Sequence, residues 1–152
     1  MKKIFFLLPV GALIAAAVYA SKSWTKPVDA DITSPFGYRI NPITNASELH
    51  NGIDLGVPEG TVIVSPFAGT VTKVYENDKG GRQMIIQHTN GFSTGYAHLS
   101  DTLVGVGDTV KKGQEIAHSG NTGNTTGAHL HFVLLDSTGT AIDPQGVIYP
   151  KT

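Results

Sequence analysis

The fold is indicated most clearly by His129-Leu130-His131-Phe132-Val133-Leu134-Leu135, where polar and apolar side chains begin by alternating. In an extended strand, residues two apart point to the same face of a sheet. We therefore expect the imidazoles of His129 and His131 on one face and Leu130 in the core. Helical spacing, with facing residues three or four apart, is not needed to bring the two rings together.

The same period of two continues along most of the chain, and turn residues separate the segments that show it. Strands are predicted at Thr61 to Ser65, Gly69 to Tyr75, Met84 to His88, Phe92 to His98, Gln114 to Ala117 and His129 to Leu135. No convincing amphipathic helix follows residue 20, and Ser100 to Gly107 is expected to hold one helical turn at most. The sequence predicts an all-β fold, with antiparallel sheets in a sandwich or a half-open barrel.

Composition narrows the possible functions. A chain of 152 residues has room for one ordinary domain, and 18 glycines with 8 prolines favour turns and short strands. Charged residues make up 15% and the net charge is -1, so nothing marks a nucleic-acid surface. Cysteine is absent, which excludes disulfides and thiolate zinc sites. Any zinc must therefore be held by histidine and carboxylate.

The first twenty residues are typical of an export signal. Lys2 and Lys3 precede an apolar run from Ile4 to Val18, and Val18-Tyr19-Ala20 stands before Ser21. We predict a signal peptide at 1–20 that is cleaved after Ala20, with an uncleaved membrane anchor as the alternative. Both place the domain outside the cytoplasm, in the periplasm, the cell envelope or the medium. A polar linker is expected at 21–31 and the domain at 32–152.

Histidine spacing suggests a metal site. His50-Asn51-Gly52-Ile53-Asp54 offers an imidazole and a carboxylate, and Gly52 favours a turn that lets Asp54 meet His50 across the bend. With a third histidine, these residues give three protein ligands and one open position, as in catalytic zinc sites. Alone, this motif is weak, because a loop histidine near a strand aspartate is common. His129 and His131 alone fit a solvated strand face almost equally well.

A further histidine lies in Tyr96-Ala97-His98-Leu99, where alternation predicts Tyr96 and His98 on one face of a strand. His98 can therefore share a cleft with the other histidines. The alternative is an edge-strand histidine that donates to a backbone carbonyl. His88 and His118 lie near turns without a second polar group at matching spacing, so we expect them at the surface or in simple hydrogen bonds.

Taken together, the motifs resemble those of the lysostaphin and LytM group of zinc endopeptidases, which are similar to peptidoglycan DD-endopeptidases. The resemblance covers nearly all of the chain after the linker. It rests on ordered motifs at compatible spacing: Ser34-Pro35-Phe36-Gly37-Tyr38-Arg39, His50-Asn51-Gly52-Ile53-Asp54, Tyr96-Ala97-His98-Leu99-Ser100, Ser119-Gly120-Asn121-Thr122-Gly123, Gly127-Ala128-His129-Leu130-His131-Phe132 and Asp143-Pro144.

The resemblance implies a zinc-containing groove with one Zn²⁺ per chain, held by His50, Asp54 and His131. It also implies that His98 and His129 stand beside the metal-bound water as catalytic residues. The expected activity is hydrolysis of peptide cross-links or stem peptides of bacterial peptidoglycan by a monomer. No nucleic acid is expected as a partner, and a membrane is expected only if the N-terminal segment stays uncleaved.

Some positions depart from the family pattern, and these departures bear on which substrate the groove prefers. Ala128 stands where proline is frequent, Gly95 where a larger residue is usual and His118 where a smaller one is expected. The groove walls are expected from the loops around Asn41 to Leu49, Glu76 to Gln83 and Gly120 to Ala128. The bond that is cut, a D-alanyl to diamino-acid cross-link or a glycine bridge, stays open.

Two other functions fit parts of the pattern. The first is a non-catalytic relative that binds the wall or activates an amidase, but such relatives have lost zinc ligands and this chain keeps them. The second is a biotinyl or lipoyl carrier domain, which Ser65 to Val71 and Val106 to Gly113 resemble. The hairpin lysine expected of a carrier is missing between them. A lipoyl-like β substructure shared with the peptidases explains the likeness more simply.

Overall fold

The computed structural model describes residues 24–150, so the predicted signal segment 1–20 lies outside the described part. Twelve strands and no helix are found among these residues, which confirms the all-β, antiparallel prediction. Within the same range no helix is long and apolar enough to cross a membrane. The strands are β1 Ile32–Ser34, β2 Gly37–Ile40, β3 Ser47–His50, β4 Ile53–Leu55, β5 Val62–Val64, β6 Gly69–Asn77, β7 Gly81–His88, β8 Ser93–Thr102, β9 Thr109–Val110, β10 Glu115–Ser119, β11 Leu130–Leu135 and β12 Ala141–Ile142.

The strands form one large sheet and one hairpin. The main sheet has the order β1-β4-β11-β8-β7-β6-β9, while β10 joins β5 to the end of β8 and β12 extends β11. The hairpin consists of β2 and β3, which pair only with each other. It ends at His50, directly before β4 enters the main sheet, so it stands beside the face on which β4 and β11 meet.

Alternation along β11 divides the main sheet into a core face and an open face. Leu130, Phe132 and Leu134 are fully buried in a single hydrophobic cluster. On the neighbouring strand, Ile53 and Leu55 are fully buried as well. The residues between them, Asp54 and His131, lie directly opposite each other on the other face. The period of two therefore brings a carboxylate and an imidazole together.

Strand β8 departs from the predicted alternation. Tyr96 pairs with Met84 and Leu99 with Arg82, so β8 carries one more residue than β7 between these pairs. The extra residue is accommodated by a β-bulge at which His98 takes a φ of 61°, an uncommon value for a residue with a side chain. Tyr96 and Leu99 both point into the core. The prediction that Tyr96 and His98 share a face is therefore wrong.

The segment that was expected as a linker at 21–31 is packed against the domain from residue 24 onward. Trp24 is 8% exposed, and its ring lies 5.2 Å from that of Phe67 and 5.5 Å from that of His88. The amide of Thr25 donates to the carbonyl of Pro66. Burial of one large aromatic side chain favours this packing over a free linker. The packed domain thus includes residues 24–31.

The other differences concern element boundaries. The six predicted strands are present, and no end differs from its predicted position by more than four residues. The short strands β1 to β3, β9 and β12 were not predicted, because two to four residues are too few to show a period. The segment from Ser100 to Gly107 continues β8 to Thr102 and then forms bends and a turn without a helical turn.

Candidate active site

Three side-chain donors form a close triangle on the open face of the sheet. Nε2 of His50, at the end of β3, lies 3.1 Å from Oδ1 of Asp54 in β4. Nδ1 of His131, in β11, lies 2.8 Å from the same oxygen and 3.1 Å from Nε2 of His50. Within residues 24–150, these three residues are the group whose ligand atoms could hold a metal ion.

Hydrogen bonds leave the lone pairs of both imidazoles directed at the centre of this triangle. Nδ1 of His50 donates to the backbone carbonyl of Pro35 at 2.7 Å, so its Nε2 is the free acceptor. Nε2 of His131 lies 3.2 Å from Oδ1 of Asn51, and donation there leaves Nδ1 as the acceptor. Such outer partners fix the tautomer and the orientation of metal-binding imidazoles.

Arg39 holds the second carboxylate oxygen of Asp54. Its Nη1 donates to Oδ2 at 3.2 Å and also to the hydroxyl of Ser34. Oδ1, which faces the two imidazoles, is thereby left for a metal. Arg39 lies on β2, and no role for it was predicted from the sequence. The position of Arg39 could have indicated this role, because it lies on a strand that pairs with the strand ending at the ligand His50.

The electrostatics favour the ionised form of Asp54. Burial alone raises the pKa of this carboxyl, but hydrogen bonds and charge interactions with His131 and His50 outweigh burial and hold the pKa far below its usual range. Burial lowers the pKa of His131 despite the opposing effect of Asp54. An ionised carboxylate beside the neutral imidazole of His131 suits zinc, which binds these groups in their deprotonated forms.

His98 and His129 lie next to the triangle. Their ring centroids are 4.7 Å apart, and Nε2 of His129 lies 3.7 Å from Oδ1 of Asp54. Each ring donates through Nδ1 to a backbone carbonyl, His98 to Thr122 at 2.7 Å and His129 to Gly127 at 2.8 Å. Nε2 of each ring is left to accept or donate a proton. Burial lowers the pKa of His98, which keeps this ring neutral near pH 7.

The five predicted site residues thus come together, and the remaining two histidines lie elsewhere. Nδ1 of His118 is 2.6 Å from the carboxylate of Asp101, away from the groove. His88 is buried rather than at the surface, and its Nε2 contacts the hydroxyl of Thr94 at 2.7 Å. Simple hydrogen bonding, one of the two expectations for His88 and His118, describes both.

A groove of about 930 Å³ surrounds the triangle. One wall is the β2–β3 hairpin, the second is the β6–β7 turn and the third is the segment from Asn124 to Ala128. These are the three loop regions that the sequence predicted as walls. The identity of the backbone carbonyls that orient the imidazoles was not predicted, because a carbonyl is present at every residue and leaves no signal in the sequence.

The donor set fits zinc. Ligands about 2.0 to 2.1 Å from a tetrahedral Zn²⁺ are about 3.3 Å apart, and the three donors lie 2.8 to 3.1 Å apart. Two nitrogen lone pairs and a carboxylate oxygen at this separation repel one another unless a cation or shared protons lie between them. Three protein ligands and an open side toward the groove are typical of catalytic zinc.

Comparison with known proteins agrees with this geometry. Residues 48–144 match Peptidase family M23. The chain belongs to Peptidase family M23. This range starts within the hairpin strand that carries His50 and ends just after β12, so it contains the five predicted site residues but not Arg39. The resemblance that the sequence motifs suggested is confirmed.

Individual family M23 proteins support the same conclusion. The peptidoglycan DD-endopeptidase ShyA of Vibrio cholerae is 41% identical over 112 residues, 72% of this chain and 26% of its own length. A crystal structure of a zinc-containing peptidase from Vibrio cholerae superimposes with a TM-score of 0.76 at 35% identity, covering 86% of this chain and 40% of that one. The catalytic domain of lysostaphin from Staphylococcus simulans has a TM-score of 0.69 at 31% identity, covering 76% and 90%. The chain spans about a quarter of the length of the curated relatives that it matches.

Proposed function

We propose that this chain is a zinc-dependent endopeptidase that hydrolyses peptide cross-links or stem peptides of bacterial peptidoglycan. The observation that carries the proposal is the triangle of His50, Asp54 and His131, which faces the groove with two further imidazoles beside it. Three nitrogen and oxygen ligands with an open fourth side are the arrangement of hydrolytic zinc enzymes. One Zn²⁺ per chain is the expected stoichiometry.

When bound at this triangle, Zn²⁺ supplies Lewis-acid chemistry, since it polarises a carbonyl and lowers the pKa of a water to about 7. His50, Asp54 and His131 bind and orient the ion, and the hydrogen bond from Arg39 holds Asp54 in position. The hairpin and the β6–β7 turn form opposite parts of the groove wall, and a peptide substrate is expected to lie between them.

His98 and His129 are proposed to handle protons. Each ring holds a proton at Nδ1 through its backbone carbonyl and presents Nε2 toward the groove. A neutral Nε2 takes a proton from the attacking water, and an Nε2 that has become protonated returns it to the leaving amine. A protonated ring beside the scissile carbonyl also stabilises the negative charge that develops on its oxygen.

The peptidoglycan substrate is proposed from the relatives. ShyA is named a peptidoglycan DD-endopeptidase and the Mpg proteins of Neisseria are named DD-carboxypeptidase/endopeptidases. A non-catalytic wall-binding or amidase-activating role is the alternative. It is disfavoured because this chain keeps the complete donor triangle and both accessory imidazoles.

Export follows as part of the proposal, because peptidoglycan lies outside the cytoplasmic membrane. The envelope location agrees with the function named for the relatives, and the predicted signal at 1–20 supplies a route. Mass spectrometry of the protein from its host is expected to find Ser21 at the N-terminus. Retention of Met1 on a membrane-bound species would favour the anchor. We expect the exported protein to act as a monomer.

The proposed function is tested by digesting purified sacculi with the zinc-loaded protein and weighing the released muropeptides. Cross-linked dimers are expected to disappear and monomers with new amino and carboxyl ends to accumulate. A chelator should stop the reaction, and added Zn²⁺ should restore it. A matched His118→Ala variant should behave like the unchanged protein, since His118 lies outside the groove. Sacculi whose cross-links and stem peptides both stay intact after prolonged incubation would overturn the proposal.

A further inference from the structure

Gly95 lies on the open face of the main sheet, between two strands whose residues line the groove beside the proposed active site. It lies in β8 directly opposite Ile85 of β7 and Val133 of β11, and both of these side chains line the groove. Two residues further along, Ala97 lies opposite His131. Two residues along a strand span about 7 Å, so Gly95 is one side-chain row from a proposed metal ligand.

The backbone does not require glycine at position 95. Its φ is not positive, and a Cβ added there would meet only the side chain of Val133, at an ordinary contact distance of 3.5 Å. Other strand glycines differ in this respect. A Cβ at Gly69 would lie 2.4 Å from the carbonyl oxygen of Gln87, which no backbone tolerates. Gly95 is therefore not explained by the conformation of the chain or by close packing.

A glycine in the interior of a strand weakens the strand, because it loses more conformational freedom on folding and offers no side chain for packing. Such a glycine is often found where another molecule approaches closely. Gly95 places no side chain between Ile85 and Val133. Both of these aliphatic side chains line the groove that surrounds the donor triangle.

We propose that Gly95 forms the floor of an apolar subsite that takes the aliphatic stem of a substrate residue next to the scissile bond. This inference rests on the proposed function and makes it more specific. Hydrocarbon chains gain free energy from contact with Ile85 and Val133, whereas a glycine residue has no side chain to place there. The subsite thus favours a D-alanyl to diamino-acid cross-link over a glycine bridge.

The test compares Gly95→Ala and Gly95→Val with the unchanged protein on two synthetic peptides. One contains a D-alanyl to diamino-acid bond, and in the other glycine replaces the diamino acid. Gly95→Val should lower kcat/KM for the diamino-acid peptide about tenfold or more, since excluding aliphatic groups from an apolar pocket has effects of this size. Gly95→Ala should cause a smaller loss. Both variants should hydrolyse the glycine peptide at a rate much closer to that of the unchanged protein.

Two further measurements separate this role from a structural one. Zinc content should stay the same and Tm should rise in both variants, because alanine and valine suit a strand better than glycine. Gly105→Ala serves as the matched control. Gly105 lies in an exposed turn outside the groove, its φ is not positive, and its Cβ would meet only Oδ2 of Asp108 at 3.9 Å. This variant should leave the preference between the two peptides unchanged.

The results distinguish failure of the subsite from failure of the proposed function. Equal losses on the two peptides, unchanged kinetics, or a fall in Tm with loss of zinc in both Gly95 variants would overturn the subsite. If the unchanged protein cleaves sacculi but does not prefer the diamino-acid peptide, the inference fails while the proposed function stands. If the unchanged protein cleaves neither peptide nor sacculi, the proposed function fails and the inference fails with it.

Discussion

Nδ1 of His98 donates a hydrogen bond to the backbone carbonyl of Thr122 at 2.7 Å. Thr122 is itself fixed, because its hydroxyl accepts from the amide of Arg82 and donates to the carbonyl of Leu99. His98 has a positive φ, and its amide donates to the carbonyl of Gly80 at 2.8 Å. The ring is thus held in an uncommon backbone conformation, with Nε2 directed into the groove. Strain of this kind is frequent at functional sites.

Replacement of His98 or His129 by alanine is expected to separate chemistry from metal binding. The three proposed ligands remain, so zinc should stay near one per chain while turnover falls by about 10² to 10⁴-fold. Atomic absorption beside a muropeptide assay measures both quantities. Loss of zinc from the His98→Ala variant would show that this ring is a ligand, which contradicts the proposed roles.

Replacement of His50, Asp54 or His131 by alanine should remove zinc and activity together. Two protein ligands hold zinc far more weakly than three. The stabilisation that bound metal gives to the folded state should be lost as well, so Tm should no longer rise when zinc is added. Calorimetry with and without Zn²⁺ checks this expectation, with His118→Ala as the control. A zinc-dependent rise of Tm in the Asp54→Ala variant would contradict the proposed ligand set.

Arg39 is expected to tune the affinity for zinc through Asp54. Arg39→Gln removes the charge that holds Oδ2, and loss of such an outer partner weakens metal binding by about 10 to 100-fold. Arg39→Lys keeps the charge and should recover part of the affinity. Competition with a chelating dye measures zinc affinity independently of turnover. If Arg39→Gln binds zinc as tightly as the unchanged protein, the contact with Asp54 has no role in positioning the ligand.

His88 should make the folded state less stable in mild acid. Burial lowers its pKa from 6.5 to about 4. Between these values the unfolded chain binds a proton that the folded chain does not, so the free energy of unfolding falls as pH falls from about 6.5 to 4 and then levels off. The contribution that is lost is about 3 kcal/mol.

The matched variant for this effect is His88→Gln, which cannot titrate. It should be less stable at pH 7, because the contact with Thr94 and the ring packing against Trp24 are altered. Its stability should nevertheless depend less on pH between 6.5 and 4. Denaturant unfolding at pH 7, 5 and 4 gives the free energies. Equal pH dependence in the variant and the unchanged protein would rule out His88 as the titrating group.

The bottom of the groove is an example of what local pattern could predict. The period of two in β11 predicted that His129 and His131 would share a face, and the bend at Gly52 predicted that Asp54 would meet His50. Both predictions agree with the structure, where these four side chains surround one point. Local spacing sufficed, because a strand and a tight turn fix the directions of side chains over a few residues.

The sequence by itself determined the all-β fold and the types of residue at the site, since alternation and turn residues act over short distances. The position of His98 was decided only by the tertiary structure. The bulge that sets it arises from the pairing of β8 with β7 and does not follow from the period of two within β8. The packing of Trp24 and the contact of Arg39 with Asp54 were decided in the same way. Each of these two contacts joins segments that are separated in the sequence. No local pattern indicates that such segments meet, and they come within contact distance only in the folded chain.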